Sequence, residues 1–375
     1  MKRVILIRSN PVLPDPPVEK MADVLLEMGY AVTILAWDRA GNTDAVATRG
    51  QHCDVVRLGA QAAYSAGVKS LAALLRFEWK LWTWLRRNRT GYDIVHAFDL
   101  DTGFVACVAA ARWKKRFVYH ILDFYAHCHC SDGWVGKLVA WVERAVLDRA
   151  DSVIICTEKR REQLGKCKQT QIQVIHNTPP ECVSDAESIA LQGTGQCSRI
   201  AYVGTLLEGR GIVQMLDAVQ ADERFELHIG GFGPLAERVA QAASRENSRV
   251  FWYGRLPYDQ TLSLERQCDI MLALYDPAIP NHRYAAPNKL YEAMMLGKPV
   301  LTCASIGWDE EIGGQDTGVL IDLRADDGIK NGLDELYRRR EQWERMGENG
   351  RARYTQQYSW QMMKERIRGI YSCLE

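Results

Sequence analysis

Residues 199–211 have the sequence RIAYVGTLLEGRG, in which an apolar, β-branched stretch ends at Gly204 and Arg210 precedes a helical pattern that begins at Ile212. This order predicts a strand, a short turn and a helix. The first N–H groups of a helix lack partners within it and create a positive potential, so an arginine beside them favours an anion such as phosphate. The alternative is an ordinary strand-to-helix turn with a solvated arginine.

Short apolar segments alternate with helical patterns along the whole chain, which predicts an α/β fold with parallel sheets. Two sets of strands are separated by the polar residues 177–198, and a chain of 375 residues is too long for one ordinary core. Two domains are therefore expected. The predicted strands are 4–7, 31–36, 94–97, 117–121, 152–156, 199–203, 225–229, 250–253, 270–274 and 299–303.

The domain boundaries follow from the same pattern. We expect a first domain at 1–180, a linker at 181–198, a second domain at 199–354 and a last helical segment at 355–375. The apolar spacing after Trp360 is that of one helical face, so this helix needs a surface to cover. Packing on the second domain and return to the first both remain open.

A second segment of the C-terminal half, FELHIGGFGPLA at 225–236, predicts a strand followed by a glycine-rich turn. Gly231 and Gly233 fit a loose dinucleotide-binding pattern, in which glycines let phosphates approach the backbone. The next predicted strand ends in Gly254-Arg255, where an NAD-binding protein would carry an acid for the ribose. This difference disfavours a dehydrogenase.

A third segment, PNKLYEAMMLGKPV at 287–300, predicts a helix that starts after Pro287 and ends at Gly297. Leu290 and Met294 are expected to face the core, which leaves Glu292 in the first turns. Its carboxylate would accept hydrogen bonds from a ribose while Arg210 and the helix amides hold a diphosphate. The alternative is a glutamate that only complements the helix dipole, worth about 0.3–1 kcal/mol.

The ordered segments VGTLLEGRG, IGGFGP, YGRLP and PNKLYEAMMLGKPV resemble the donor half of GT-B glycosyltransferases, particularly the retaining enzymes of family 4. In the N-terminal half, 92–99, 117–125 and 150–154 are similar to that group's successive strand ends, and 174–179 to its approach to the linker. The resemblance covers most of the chain. It implies two Rossmann-like parallel-sheet domains that face each other across a cleft.

The resemblance also implies an activity: transfer of a sugar, with retention, from a nucleoside diphosphate sugar to an acceptor hydroxyl. We expect a UDP-linked donor and a lipid-linked saccharide acceptor in polysaccharide biosynthesis. The positive charge of Arg210 and the helix amides would stabilise the departing diphosphate, so no metal and no other cofactor is expected. Two alternatives stay open: a sugar-nucleotide epimerase of the same fold and a nucleotide-sugar-binding protein without transferase activity.

Carried over residue by residue, Glu292 is similar to the second glutamate of the family's paired-glutamate motif, which binds the donor ribose. Tyr284 stands in place of the first glutamate, which contacts the donor sugar. Arg210 is similar to the residue that neutralises the diphosphate, while Thr205 stands where another basic residue is usual. The expected donor-binding residues are Gly204, Thr205, Arg210, Gly231, Phe232, Gly233, Arg255, Leu256, Tyr284, Asn288, Lys289, Leu290 and Glu292.

Asp99, His120 and Asp123 each follow or end a predicted strand of the N-terminal half, where open α/β sheets bind ligands. Together with Asn10, in the proline-rich loop that replaces the family's glycine-rich loop, they are the expected acceptor side. Asp123 and His120 join Arg210 and Glu292 as catalytic candidates. The alternative for each is a role in capping a helix or bonding the backbone.

Residues 71–89 combine leucine and tryptophan with arginine and lysine, a composition that favours an anionic membrane surface. Residues 134–147 are a second candidate, and the alternative is that both helices pack within their domain. Basic and acidic residues balance at 47 each, so no nucleic-acid partner is expected. No signal peptide or spanning segment is apparent, and we expect a cytoplasmic protein that associates with the inner face of the plasma membrane.

One segment, His127-Cys128-His129-Cys130, has the composition of a metal site. Consecutive side chains of an extended chain point to alternate faces, and no second Cys/His pair follows at zinc-finger spacing. A loop with chance ligands is therefore the preferred interpretation.

Overall fold

The computed structural model describes residues 1–12, 15–39, 45–48, 52–61, 68–129, 133–181, 189–193 and 195–374. They form two compact units, Met1–His176 with Met363–Glu375, and Asn177–Met362. The first part of the first unit thus ends at residue 176 rather than 180, and its second part begins at residue 363, inside the predicted last segment 355–375. Residues 182–188 and Thr194 of the predicted linker, and Leu13 and Pro14 of the first loop, lie outside the described residues.

The first unit is built on one sheet. Its strands are β1 (Arg3–Arg8), β2 (Ala31–Asp38), β3 (Ala45–Thr48), β4 (Cys53–Gly59), β5 (Ile94–Phe98), β6 (Arg116–Ile121), β7 (Ser152–Ile155) and β8 (Ile172–Val174). Their order is β3-β4-β2-β1-β5-β6-β7-β8, and every pair is parallel except β3 with β4. Its helices are α1 (Pro16–Glu27), α2 (Val68–Arg87), α3 (Leu100–Trp113), α4 (Tyr125–His129), α5 (Trp134–Leu147) and α6 (Arg161–Leu164).

The second unit has a wholly parallel sheet. Its strands are β9 (Ser198–Thr205), β10 (Phe225–Phe232), β11 (Val250–Trp252), β12 (Ile270–Ala273), β13 (Val300–Cys303) and β14 (Gly318–Ile321), in the order β11-β10-β9-β12-β13-β14. Its helices are α7 (Ile212–Gln220), α8 (Ala236–Ala243), α9 (Tyr258–Gln267), α10 (Asn288–Leu296), α11 (Gly328–Arg338) and α12 (Trp343–Arg353). Two Rossmann-like parallel-sheet units confirm the predicted fold class.

The strand order places a ligand crevice in the second unit. From β9 the chain continues to β10 and β11, which lie on one side of β9 within the sheet. It then crosses to β12, which pairs with the other side of β9. Loops leaving the carboxyl ends of β9 and β12 therefore diverge, and open α/β sheets bind ligands at such a switch point. Residues 199–211, with which the sequence analysis began, leave β9 at this carboxyl edge of the sheet.

The last helix, α13 (Trp360–Ser372), packs on the first unit. Its apolar face buries Met363, Ile367 and Tyr371, in line with the predicted helical spacing. The guanidinium of Arg366 donates to the carbonyl of Val174 at 2.9 Å, which ties the helix to β8. Of the two packing arrangements left open by the sequence, the structure therefore shows return to the first unit.

Glu143 of α5 is buried beneath the first unit's sheet, where its Oε1 accepts hydrogen bonds from the Tyr119 hydroxyl and the Tyr125 amide, each at 3.2 Å. Burial raises the pKa of this carboxyl to about 8 from an ordinary value of 4.5. Between these values the folded carboxyl keeps its proton while the unfolded one loses it, so stability is lost as pH rises.

We expect the stability of the wild type relative to Glu143→Gln to fall by about 1.4 kcal/mol per pH unit across this interval. Denaturant unfolding of both proteins at the two ends of the interval measures the difference. The same substitution at exposed Glu344 serves as the control. Parallel pH profiles for the wild type and Glu143→Gln would show that the carboxyl is ionised in the folded protein.

Candidate functional site

Two helices of the second unit begin at the carboxyl edge of its sheet, α7 after β9 and α10 after β12. Gly211 precedes α7 with a φ of 63°, and Pro287 precedes α10 in an extended conformation. Neither residue supplies a side-chain cap to the first amides of its helix. Two uncapped helix N-termini at one switch point favour an anionic ligand.

Arg210 lies in the turn between β9 and α7. Its guanidinium carbon lies 3.5 Å from the centroid of the Tyr275 ring, which follows β12. The Asp276 amide donates to the Gly209 carbonyl at 2.9 Å, so the turns after β9 and β12 are held together. Arg210 Nη1 is buried and has no hydrogen-bond partner among the described residues. A buried guanidinium N–H without an acceptor is costly, and a bound anion would satisfy it.

Lys289, in the first turn of α10, brings a second cation to the same edge. Its Nζ lies 4.8 Å from the centroid of the Tyr202 ring and packs against Gly204, where an added Cβ would stand 2.3 Å from it. Burial by itself would lower the pKa of Lys289, but the neighbouring Tyr202, Tyr275 and Glu292 outweigh it and raise the pKa. The ammonium therefore stays charged.

Glu292 lies one turn further along α10. Only 4% of its surface is exposed, which is less than we expected for a helix residue that faces a ligand. It accepts a hydrogen bond from the Tyr258 hydroxyl at the start of α9. A second carboxyl, Glu265 of α9, is fully buried near it, and neither of its oxygens has a hydrogen-bond partner in the described part of the chain. Burial and the nearby Glu292 raise the pKa of Glu265 well above its ordinary range.

The sequence did not reveal Tyr258 or Glu265. Both lie in a segment, YDQTLSLERQ, that is rich in polar residues and whose pattern gave no reason to bury a glutamate. Their proximity to Glu292 depends on the packing of α9 on α10, which no local motif records. The strand-end rule could have identified Arg8. Arg160 lies 37 residues from Asp123 in the sequence, and only the fold brings the two together.

The glycines at the carboxyl ends of β9 and β10 bring two backbone segments together. A Cβ on Gly231, whose φ is 140°, would lie 1.8 Å from the Gly204 carbonyl oxygen, and one on Gly233 would lie 2.5 Å from the Leu206 oxygen. Glycine is therefore required at these two positions by the contact between backbone segments, whether or not a ligand also approaches them. Between them, Phe232 is half exposed.

The other predicted donor residues occupy the same carboxyl edge or the adjoining core. The Arg255 guanidinium carbon lies 4.7 Å from the Phe232 ring centroid, and half-buried Leu256 follows it. The Thr205 carbonyl accepts from the Tyr202 hydroxyl at 2.8 Å. Half-buried Tyr284 closes a 3₁₀ turn, Pro280–Tyr284, and Asn288 is the first residue of α10. Leu290 is completely buried in the core, so only its backbone is available to a ligand.

In the first unit, Asp99 organises the loops at the carboxyl ends of three strands. It pairs with the Arg8 guanidinium, and its Oδ1 accepts from the amides of Leu122 at 2.8 Å and Asp123 at 3.1 Å. Its own φ is 61°, a strained value for a residue other than glycine. Burial raises the pKa of Asp99. Both of its oxygens contact other groups of the protein.

Asn10 is engaged in the same loops. Its amide donates to Asp15, which also pairs with Arg8, with 3.1 Å between Arg8 Nε and Asp15 Oδ2. The Val12 amide donates to Asn10 Oδ1 at 2.9 Å. The proline-rich first loop is thus held by an Arg8-centred network of polar side chains.

His120 belongs to a buried chain of three hydrogen-bonding side chains. Its Nδ1 lies 3.3 Å from His96 Nε2, and His96 Nδ1 lies 2.6 Å from the Tyr371 hydroxyl on α13. Burial lowers the pKa of His96 to about 3 and that of His120 well below its ordinary value, so both rings are neutral. With the Tyr371 hydroxyl as donor, His96 donates from Nε2 and His120 keeps its proton on Nε2.

Asp123 is the acceptor-side candidate whose carboxylate is open to solvent, with 56% of its side chain exposed. Its Oδ1 lies 3.4 Å from Nη2 of Arg160, a guanidinium that is almost completely buried. The arginine therefore positions a carboxylate that lies at the protein surface.

The predicted metal segment is described only in part, because Cys130 and the side chains of His127 and His129 lie outside the described residues. Within residues whose positions the structure gives, no group of three His, Cys, Asp or Glu side chains is arranged to hold a metal. In the same ranges, no helix is both long and apolar enough to cross a membrane.

Comparisons with known proteins agree with this architecture. A family model described as "Glycosyl transferase 4-like domain" matches residues 16–178, and one described as "Glycosyl transferases group 1" matches residues 195–353. The D-rhamnosyltransferase WbpZ of Pseudomonas aeruginosa is 29% identical over 164 residues, which are 42% of this chain and 41% of that enzyme. The chain therefore aligns with less than half of WbpZ.

Solved structures match over the whole chain. Sucrose-phosphate synthase from Thermosynechococcus elongatus superposes with a TM-score of 0.76 at 17% identity, covering 100% of this chain and 99% of the other. Anabaena Alr3699/HepE in complex with UDP-glucose gives 0.73 at 16% identity, covering 100% of both chains. At such identities the likeness shows the fold. With the two family matches added, the chain belongs to the GT-B glycosyltransferases of the family 4 type.

Proposed function

We propose that this glycosyltransferase moves a sugar from a UDP-sugar to a hydroxyl of a lipid-linked saccharide, with retention of configuration, in polysaccharide biosynthesis. The observation that carries the proposal is the buried Nη1 of Arg210, which has no hydrogen-bond partner among the residues described, at an edge where two uncapped helices begin. Lys289 adds a second cation to that edge. A diphosphate has the charge and the acceptor oxygens to satisfy all of these groups.

Glu292 is proposed to bind the ribose of the donor. Its carboxylate lies beside Lys289 and accepts a hydrogen bond from the Tyr258 hydroxyl. A carboxylate has about four lone-pair sites, so it can accept from a sugar hydroxyl as well. Tyr284 occupies the place from which a glutamate would contact the transferred sugar, and it offers a single hydroxyl. The choice of UDP is supported by the Anabaena relative of the same fold, which was solved with UDP-glucose.

In the proposed reaction the bond between the anomeric carbon and the diphosphate oxygen breaks, and a bond to the acceptor oxygen forms on the same face of the sugar. The acceptor hydroxyl loses its proton to a phosphate oxygen of the leaving group. Arg210, Lys289 and the amides of α7 and α10 stabilise the negative charge that develops on the diphosphate. These groups supply the positive charge, and no step is assigned to a metal or a cofactor.

His120 and Asp123 are assigned to the acceptor. A neutral His120 with its proton on Nε2 donates a hydrogen bond and cannot repel a cationic transition state. Asp123, which pairs with Arg160 and is largely exposed, is assigned to an acceptor hydroxyl or to the positive charge of the sugar. The lipid-linked acceptor places the enzyme at the inner face of the plasma membrane, with contact through residues 71–89.

A panel of sugar nucleotides tests the donor part of this proposal, because a ligand that binds the folded state alone raises its melting temperature. The stabilising donor is then incubated, radiolabelled in its sugar, with and without lipid-linked saccharides. We expect label in the lipid fraction only when both substrates are present, and an anomeric configuration equal to that of the donor by NMR.

Three other outcomes would overturn the proposal. Conversion of the donor sugar without an acceptor indicates an epimerase. Donor binding with neither transfer to any saccharide nor hydrolysis above background indicates a binding protein. Transfer with inverted configuration removes the family 4 mechanism while leaving donor binding intact.

A further inference from the structure

Helices α2, α3 and α5 lie side by side on the first unit, with α3 in contact with both of the others. The Trp82 ring of α2 stacks on the Trp113 ring of α3 with 5.0 Å between centroids. The inner faces of the three helices contribute Phe77, Val105 and Val146 to one hydrophobic core. Their outer side chains therefore form one continuous surface of the unit, here called the three-helix face.

The three-helix face is apolar to an unusual degree. Fourteen large hydrophobic side chains are exposed in the described part of the chain, and nine of them belong to these helices. Of these nine, the three most exposed are Trp79, Trp134 and Trp141, at 67%, 77% and 64%. The other six are Leu71, Leu75, Phe104, Val108, Val135 and Leu138. Soluble proteins rarely expose such a cluster unless it binds something.

The spacing of these residues shows that each helix turns one apolar stripe outward. Leu71, Leu75 and Trp79 follow one another every fourth residue on α2, and Phe104 and Val108 do so on α3. Residues four apart lie on the same side of a helix. The buried residues of the same helices form the opposite stripe, so these helices are apolar on two sides, of which the core covers one.

The charges around the stripes are of one sign. Every charged side chain that is described as exposed on these helices is basic: Arg76, Arg86, Arg87, Arg112 and Lys137. The acidic residues of the helices, Glu78, Asp101 and Glu143, are buried or half-buried. Burial, with Asp101 nearby, also raises the pKa of Glu78 to about 7. Since the whole chain has no net charge, this face is a local concentration of positive charge.

We propose that the three-helix face docks on an anionic phospholipid bilayer. Tryptophans and leucines enter the interfacial layer, while arginines and lysine remain among the phosphates, an arrangement that neither a neutral bilayer nor an apolar protein groove would require. The inference deepens the proposed function, since a lipid-linked acceptor is presented at such a surface. It also extends the contact from residues 71–89 alone to three helices.

Sedimentation with vesicles of phosphatidylcholine, with or without phosphatidylglycerol, tests the proposal on the full chain. We expect binding to the anionic vesicles, with a blue shift of tryptophan emission, and weak binding to the neutral ones. The double variant Arg76→Glu with Lys137→Glu should bind anionic vesicles more than about tenfold less tightly. Trp79→Ser with Trp141→Ser should lose both binding and the blue shift.

A matched control reverses two exposed cations of the second unit, Lys330→Glu with Arg340→Glu, and should bind as the wild type does. Equal loss in this control would show that any surface charge suffices, and the proposal would fail. Absence of vesicle binding by the wild type would also overturn it. So would self-association of the wild type that is abolished by the tryptophan substitutions, because the face would then cover another copy of the chain.

The failure of this inference can be told apart from the failure of the proposed function. Variants of the three-helix face should keep the wild-type melting temperature and its shift by the donor. They should also transfer sugar normally to a short-chain, water-soluble analogue of the acceptor. Vesicle binding without any sugar transfer would contradict the proposed function but support membrane binding by the three-helix face.

Discussion

Arg210→Ala is expected to weaken UDP binding by about 10- to 100-fold, since a hydrogen bond between charged groups is worth about 1.5–3 kcal/mol. The guanidinium is already oriented by the Tyr275 ring, and its buried Nη1 has no acceptor within the described chain. Its contribution should therefore appear almost wholly in the diphosphate contact. Isothermal titration with UDP and with uridine separates the two parts of the ligand.

Glu292→Gln should show the complementary pattern. This variant should lose affinity for uridine and UDP, and the preference for UDP over 2′-deoxy-UDP should vanish, because Glu292 is assigned to the ribose. Arg210→Ala should keep that preference and lose the preference for UDP over uridine. Arg340→Ala, an exposed arginine of the same unit, is the control. Unchanged UDP affinity in both site variants would remove the donor site from this edge of the sheet.

Gly231→Ala is expected to destabilise the second unit by roughly 3 kcal/mol or more, which combines the strain of a positive φ with a steric clash. The φ of Gly231 is 140°, and the added Cβ would stand 1.8 Å from the Gly204 oxygen. The atoms of Gly204 that the added Cβ would meet are all backbone atoms, so no flexible side chain can move aside. Denaturant unfolding followed by circular dichroism measures the loss.

Gly254→Ala isolates the clash. Gly254 also has a positive φ, 65°, but nothing lies within 4 Å of an added Cβ. This variant should cost only about 1 kcal/mol, the price of the backbone conformation. If the two variants unfold at the same denaturant concentration, the close packing of β9 on β10 is not what makes Gly231 necessary.

The fold could be predicted from the sequence where strands are buried on both faces. All ten predicted strands form, because central parallel strands have continuous apolar sequences. The four that escaped prediction are β3, β4, β8 and β14, of which β3, β8 and β14 are sheet edges. An edge strand has one neighbour and shorter or mixed apolar sequence, as Ile172–Val174 illustrates. Local pattern is weakest at such positions.

The candidate site was predictable in its cations and less so in its acids. Arg210 and Lys289 follow from a strand-to-helix turn and a helix start, both of which are local features. The burial of Glu292 and its link to Tyr258 depend on two helices that are distant in sequence. Likewise, Asp99 was identified by its position after a strand, but its pairing with Arg8 depends on the neighbouring β1. A local sequence motif cannot predict contacts that arise only from tertiary packing.

The return of α13 to the first unit bears on how the polypeptide acquires its structure during synthesis. The partner of the His96 ring, Tyr371, lies in α13, and the second unit is inserted between the two parts of the first. Domains generally fold as units while the ribosome is still elongating the chain. Here the insert can complete its fold before the unit that was translated first. Deletion of α13 would thus destabilise the amino-terminal part of the first unit.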